Sequence, residues 1–218
     1  MKKYYYLLFL FFVCLAWSGI RPFDYWIWIG EAAPVILGFL VVLFTFNLFR
    51  FSVFTYIAIL VSCCVMLIGA HFTFTREPLF DWIRDFFGQS RNNYDKVGHF
   101  IQGVIPVLVA REIFIRKNIL KGYKWVSFIS FCICLSTTVT YELVEFIACK
   151  LAGKTPDTFL GAQGDIWDSQ WDMLFATIGG LVTIFFFRKI HDRIIEKEFP
   201  GTFERFRHFI SESQPASR

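Results

Sequence analysis

Three aspartates stand close together late in the chain, Asp165, Asp168 and Asp172, with Trp167 and Trp171 among them, directly ahead of an apolar run. A helix through them would turn all three carboxylates to one face. Two more carboxylates, Glu142 and Glu145, lie three apart inside another apolar run. A charged group deep in a membrane helix costs roughly 2.5–3.5 kcal/mol on insertion scales, so each needs a partner or a wet cavity. Neighbouring carboxylates repel unless a cation sits between them. Asp95 and His99 are one helical turn apart, and Gln102 extends their face. Histidine with several carboxylates suits Zn²⁺ or Mn²⁺, and an oxygen-only set suits Mg²⁺ or Ca²⁺. The candidate ligands of a divalent metal ion are His71, Asp95, His99, Glu145, Asp168 and Asp172. The candidate catalytic groups are His99, Glu142, Glu145 and Asp172. Arg91, Lys96, Gln102 and Trp167 are candidate substrate contacts, with Arg91 suited to a phosphate.

Structural roles compete with these. Asp95 can cap its helix while Lys96 snorkels to the interface. Asp165 or Asp168 can cap the next helix, where negative charge also favours the N-terminus. Trp167 and Trp171 suit interface anchors. Caps do not account for Glu142, Glu145 and His99, which lie inside helices.

The elements that must position these groups are membrane spans. The chain of 218 residues is 56% hydrophobic, 20% aromatic and only 18% charged, below the quarter typical of soluble domains. Six apolar runs fall at about 4–20, 27–49, 51–74, 97–115, 125–149 and 171–187, each near the length that crosses ~30 Å of hydrocarbon as a helix. Lys2-Lys3 ahead of the first run has the outline of a signal peptide. The later runs are equally apolar, so it is read as an uncleaved first helix. Between the third and fourth runs, Pro78 opens a short amphipathic helix over 78–88, with Leu79, Trp82, Ile83, Phe86 and Phe87 on one face, suited to the interface. The expected fold is an all-α polytopic bundle of about six transmembrane helices over residues 1–190, with a charged cytoplasmic tail over 191–218.

Most of the 22 Lys and Arg lie on the side of the N-terminus, which predicts N-in and C-in by the positive-inside rule. That orientation gathers Glu31, His71, Asp95, His99, Glu142, Glu145, Asp165, Asp168 and Asp172 near the outer surface. Only Arg111 and Glu112 stand out in the inner half. The net charge of +4 serves orientation. There is no nucleic-acid motif and no basic stripe with interleaved aromatics. Cys14, Cys63, Cys64, Cys132, Cys134 and Cys149 lack metal spacing and read as small apolar fillers. Serine-hydrolase elbows, P-loops and dinucleotide fingerprints are absent from the sequence.

Several stretches resemble the YjdF-like family of bacterial inner-membrane proteins. They are Arg91-Asn92-Asn93-Tyr94-Asp95-Lys96-Val97-Gly98-His99-Phe100-Ile101-Gln102-Gly103, Arg111-Glu112-Ile113, Glu142-Leu143-Val144-Glu145, and residues 159–173 around Gln163-Gly164-Asp165-Ile166-Trp167-Asp168. His71-Phe72-Thr73-Phe74 is similar to the family's His-Tyr-Thr-Tyr, with Phe at both tyrosine positions. The resemblance implies a multi-pass protein of the bacterial inner membrane and brings no assigned activity. A shorter likeness, over Asp95 to Phe100 and the Asp168 to Asp172 step, is to VanZ-like membrane proteins, which are associated with glycopeptide resistance and so with the cell envelope.

Three functions follow as expectations. The first is a cell-envelope hydrolase or transferase acting on a lipid-linked substrate at the outer leaflet with a divalent metal. The second is a proton- or cation-coupled transporter. The third is a non-catalytic binding or scaffolding protein. The expected partners are membrane lipids and the lipid-linked substrate, with no nucleic acid.

Overall fold

The computed structural model describes residues 2–153 and 162–212. Its described residues contain helices and no strands. In chain order these are α1 (Lys2–Ser18), α2 (Tyr25–Thr45), α3 (Val53–Phe72), α4 (Pro78–Phe87), α5 (Tyr94–Arg116), α6 (Tyr123–Leu151), α7 (Asp168–Val182), α8 (Arg188–Glu198) and α9 (Thr202–Ser211). A π-turn at Thr183–Phe187 joins α7 to α8. Helices are what an apolar chain in lipid must form, because each backbone N–H and C=O then bonds within its own segment.

Six crossings were expected. Five helical segments are long and apolar enough to cross a membrane: Tyr25–Thr45, Val53–Phe72, Tyr94–Arg116, Tyr123–Leu151 and Asp168–Glu198. α1, at 17 residues, is shorter than these.

Local chemistry sets the ends. Asp24 caps α2 through Trp26 N at 2.7 Å and Ile27 N at 3.1 Å. Glu77 caps α4 through Phe80 N at 2.8 Å, Pro78 opens the helix, and Gly88 closes it in the left-handed region at φ 62°. The expected amphipathic helix is therefore present, and Leu79, Trp82, Phe86 and Phe87 stand exposed on it.

Two helical groups share α3. In one, α1, α2 and α3 pack around Phe11, Ala32, Val35 and Leu67. In the other, α5 lies between α3, α6 and α7 and is the most buried span. α5 and α7 touch backbone to backbone. A Cβ on Gly103 would overlap the Ala176 carbonyl, and one on Gly179 would overlap that of Phe100. Small residues permit such an approach, as in small-xxx-small contacts. Gly180 faces Phe131 and Cys134 of α6. Tyr94 Oη bonds the Val65 carbonyl at 2.9 Å and ties the start of α5 to α3.

Within residues 191–218, set apart from sequence as a charged tail, the described part to 212 forms most of α8 and all of α9. His191, Ile195 and Phe206 are fully buried there, with Phe206 packed on Ile115 and Val126. Glu196 holds the turn between α8 and α9 by accepting from Gly201 N at 2.7 Å and Phe203 N at 3.0 Å.

Candidate functional site

The site forms where α5, α6 and α7 meet at the end of the bundle that also carries α4. The loop before α5 is locked first. Asn92 is fully buried. Its side chain donates to the Glu77 carbonyl and to Asp81 Oδ1, both at 3.0 Å, and accepts from Tyr94 N at 3.0 Å. Its backbone N donates to Gln163 Oε1 at 3.0 Å, and Gln163 Nε2 donates back to its carbonyl at 2.9 Å. Gln163 takes a left-handed conformation at φ 54°, and Gly164 follows at φ 80°. These bonds fix two loops against each other and aim Arg91 inward.

Arg91 then pairs with Asp95, with Asp168 at 2.6 Å and with Asp165 at 3.3 Å. Desolvation by burial works against its charge, but the field of Asp95 and the bond and charge of Asp168 outweigh it and raise its pKa. One turn deeper, Lys96 Nζ lies 3.3 Å from Asp95, 2.8 Å from Asp168 and 2.9 Å from Asp172. One ammonium thus bonds every member of the Asp95–Asp168–Asp172 set, whose oxygens could otherwise share a metal. Lysine supplies the cation there.

Below it the chemistry changes. His99 Nδ1 is 3.8 Å from Glu142 Oε1, and His99 Nε2 is 3.7 Å from Asp172 Oδ1. Both gaps exceed hydrogen-bond length. The Glu142 side chain is 8% exposed, yet both its oxygens, and His99 Nδ1, have no hydrogen-bond partner among the described residues. Buried polar groups are nearly always paired, so each exception needs an explanation. His99, Glu142 and Asp172 offer ligand atoms within 4.8 Å of one another, a nitrogen-plus-oxygen set fit for a divalent transition metal. Beside them is a cavity of about 40 Å³ lined by Glu31, Glu145, Gln102 and Tyr141 among others. That volume has room for one ion with a water or two, at ~10–15 Å³ of such volume per water.

Around the site Asp95, Asp165, Asp168, Asp172 and Glu142 outnumber Arg91 and Lys96. By formal count the acids therefore exceed the basic groups paired with them.

The structure brings together Arg91, Asp95, Lys96, His99, Gln102, Glu142, Glu145, Asp168 and Asp172. Glu145 and Gln102 line the cavity without joining either ligand set. His71 is not part of the cluster. Its Nδ1 bonds the Ser18 carbonyl at 2.9 Å, and its ring stacks on Trp17 with centroids 4.7 Å apart. Trp167 stands outside too, 59% exposed just before α7. α7 begins only at Asp168, so Asp165 is not on a shared helical face. It sits in the preceding turn and accepts from Trp167 N at 2.9 Å. Sequence reasoning missed the locking roles of Asn92 and Gln163. Their signal was an amide in each motif beside the charged residues. Residues 159–161, the start of the stretch 159–173 that carries the family resemblance, lie outside the described residues.

Fold and site together define a polytopic helical membrane protein whose ionic centre is built within the ends of its own spans. The chain belongs to the family described as "Predicted membrane protein (DUF2238)", whose model matches residues 4–193. It is 37% identical over 183 residues to "Inner membrane protein YjdF" of Escherichia coli (strain K12), across 84% of this chain and 88% of that protein. No solved structure matches. The YjdF-like resemblance and the inner-membrane location read from the motifs agree with these matches and with the five apolar helices.

Proposed function

We propose that the protein is a cell-envelope hydrolase or transferase that acts on a lipid-linked substrate with a divalent cation held by His99, Glu142 and Asp172. The observation that carries this reading is Glu142, a buried carboxylate with no hydrogen-bond partner among the described residues, facing His99 and Asp172. A cation there offsets the excess negative charge. Held by His99, Glu142 and Asp172, it would supply Lewis acidity to a phosphoryl or carbonyl oxygen and acidify a nearby water or substrate hydroxyl. Glu145, on the same cavity, would be placed to accept a proton from that water or hydroxyl. In this reading α1 completes six crossings, both termini face the cytoplasm, α4 lies in the outer interface, and the site sits at outer headgroup depth.

Metal analysis of protein purified without chelator tests it. The expected result is one divalent cation per chain, lost from Glu142→Ala and His99→Ala variants that stay folded. Metal-free wild type, with both variants fully functional in cells, would overturn it.

One observation favours a second reading, a proton- or cation-coupled transporter. The inner half holds a larger polar cluster than the sequence suggested: Glu112 and His191, both fully buried, with Arg111 paired to Asp192 at 2.6 Å. Proteoliposome flux abolished by Glu145→Gln would select this reading over the enzyme.

A further inference from the structure

The cavity of about 40 Å³ beside His99 and Asp172 has room for an ion and water but not for the head group of a lipid. A wall must therefore move before a lipid-linked substrate reaches the site. The acidic wall is fixed, because Asp95, Asp168 and Asp172 are each bonded to Lys96. The wall made by Phe74, with Met66 and Gly98, is built differently.

Phe74 stands just past the end of α3. Thr73 closes that helix in the left-handed conformation at φ 63°, a common way for a helix to end. Phe74 repeats the conformation at φ 56°. Bulky side chains rarely adopt it, and residues held so cluster at ligand clamps and switches. The Phe74 amide donates to the Gly69 carbonyl at 2.7 Å, which turns the ring back between α3 and α5. Two glycines make the space for it. A Cβ on Gly69 would overlap the ring, and one on Gly98 would lie 3.3 Å from it. The ring is half-buried and held by packing alone, its centroid 5.9 Å from that of Tyr94. The chain is anchored again where Asn92 Nδ2 donates to the Glu77 carbonyl at 3.0 Å. Residues 73–76 are thus a short hinge between two fixed points. Turning Phe74 out of the left-handed region relieves its strain and removes one wall of the cavity.

We infer that Phe74 gates this cavity, its ring leaving the Gly69–Gly98 cradle to admit the head group of the lipid-linked substrate and returning to shut the site from water. The hinge runs directly into α4, whose exposed Leu79, Trp82, Phe86 and Phe87 suit the interface where such a head group sits. Admission of substrate rests on the proposed function. The access that Phe74 controls does not.

The test uses dicyclohexylcarbodiimide, a bulky lipid-soluble reagent that adds to carboxyl groups, on the full chain in detergent. Glu145 lines the cavity, so its labelling, followed by peptide mass spectrometry, reports opening. Labelling follows the open population, so Phe74→Ala is expected to speed it at least about ten-fold over wild type. Gly69→Ala, which expels the ring but leaves it on the chain, is expected to speed it too. Phe80→Ala removes the other ring packed on Tyr94 and no wall of this cavity, and is expected to label as wild type does. Labelling of Phe74→Ala or Gly69→Ala at the wild-type rate, or equal acceleration by Phe80→Ala, overturns the inference. Should Phe74→Ala fail to fold, Phe74→Leu replaces it. Faster labelling is again expected, and an unchanged rate overturns the proposal. Metal content of the same wild-type preparation separates the two readings. Bound metal with no effect of Phe74→Ala removes the gate alone. An effect of Phe74→Ala in protein that binds no metal removes the catalytic reading and leaves the gate.

Discussion

Two buried carboxylates near opposite ends of the same bundle receive opposite treatment. Glu112 is fully buried, and it accepts from Ser52 N at 2.7 Å, Ser52 Oγ at 2.8 Å, Thr55 Oγ1 at 2.7 Å and Arg116 Nη1 at 2.7 Å. His191 Nε2 completes the set at 3.1 Å. Glu142 is nearly as buried, yet neither of its oxygens has a partner among the described residues. The first carboxylate is saturated and ties α3, α5 and α8 together. The second has both oxygens without a hydrogen-bond partner among the described residues, and the proposed cation would use them. A bundle able to satisfy one acid so completely leaves the other without such donors among the described residues, the contrast on which the proposed cation rests.

The largest break in that comparison comes from Glu112→Ala. It leaves His191 and Arg116 facing a hole and strands the Ser52 and Thr55 donors, and losing one partner of a buried pair costs about 3–5 kcal/mol. The variant should fail to accumulate or melt far below wild type in a detergent stability assay. Next is Lys96→Met, which removes the ammonium from Asp95, Asp168 and Asp172. Loss of bonds to charged groups should destabilise the protein by about 1.5–3 kcal/mol. It should also create a second divalent-ion site, read as added Mn²⁺ restoring the melting temperature. If Mn²⁺ has no effect, the view that Lys96 stands in for an ion fails.

Glu142→Gln should act the other way from Glu112→Ala. It should lose bound metal while the melting temperature of chelator-treated protein holds or rises, because an unpaired buried charge has been removed. A drop as large as that of Glu112→Ala would make Glu142 a structural residue and support the scaffold reading. The smallest effect belongs to Trp167→Ala, within about 0.5 kcal/mol, with metal content unchanged, because the exposed indole lies outside the cluster.

Much of the frame was legible along the chain. Apolar runs between charges located the spans, since length and hydropathy are local properties. Pro78, the ring spacing and Gly88 marked α4 for the same reason. The gathering of acids and His99 near one end followed from counting crossings. The partners did not follow. His71 had the residue type and depth of a ligand, but the packing of α1 on α3 turns its ring to Ser18 and Trp17. His191 looked like part of a tail because a histidine among charges carries no local sign of burial.

What the sequence alone determined is an all-helical membrane chain with Asp95, His99, Glu142, Glu145, Asp168 and Asp172 gathered near one end, because bilayer thickness and the cost of burying charge act on every segment separately. Which acid meets which cation was decided only by the tertiary structure. Gly103 and Gly179 bring α5 and α7 into backbone contact, and that approach delivers Lys96 to Asp168 and Asp172 while Glu142 of α6 faces His99 with no hydrogen-bond donor among the described residues. Such pairings depend on the rotation and spacing of helices distant in sequence, quantities that no single segment encodes.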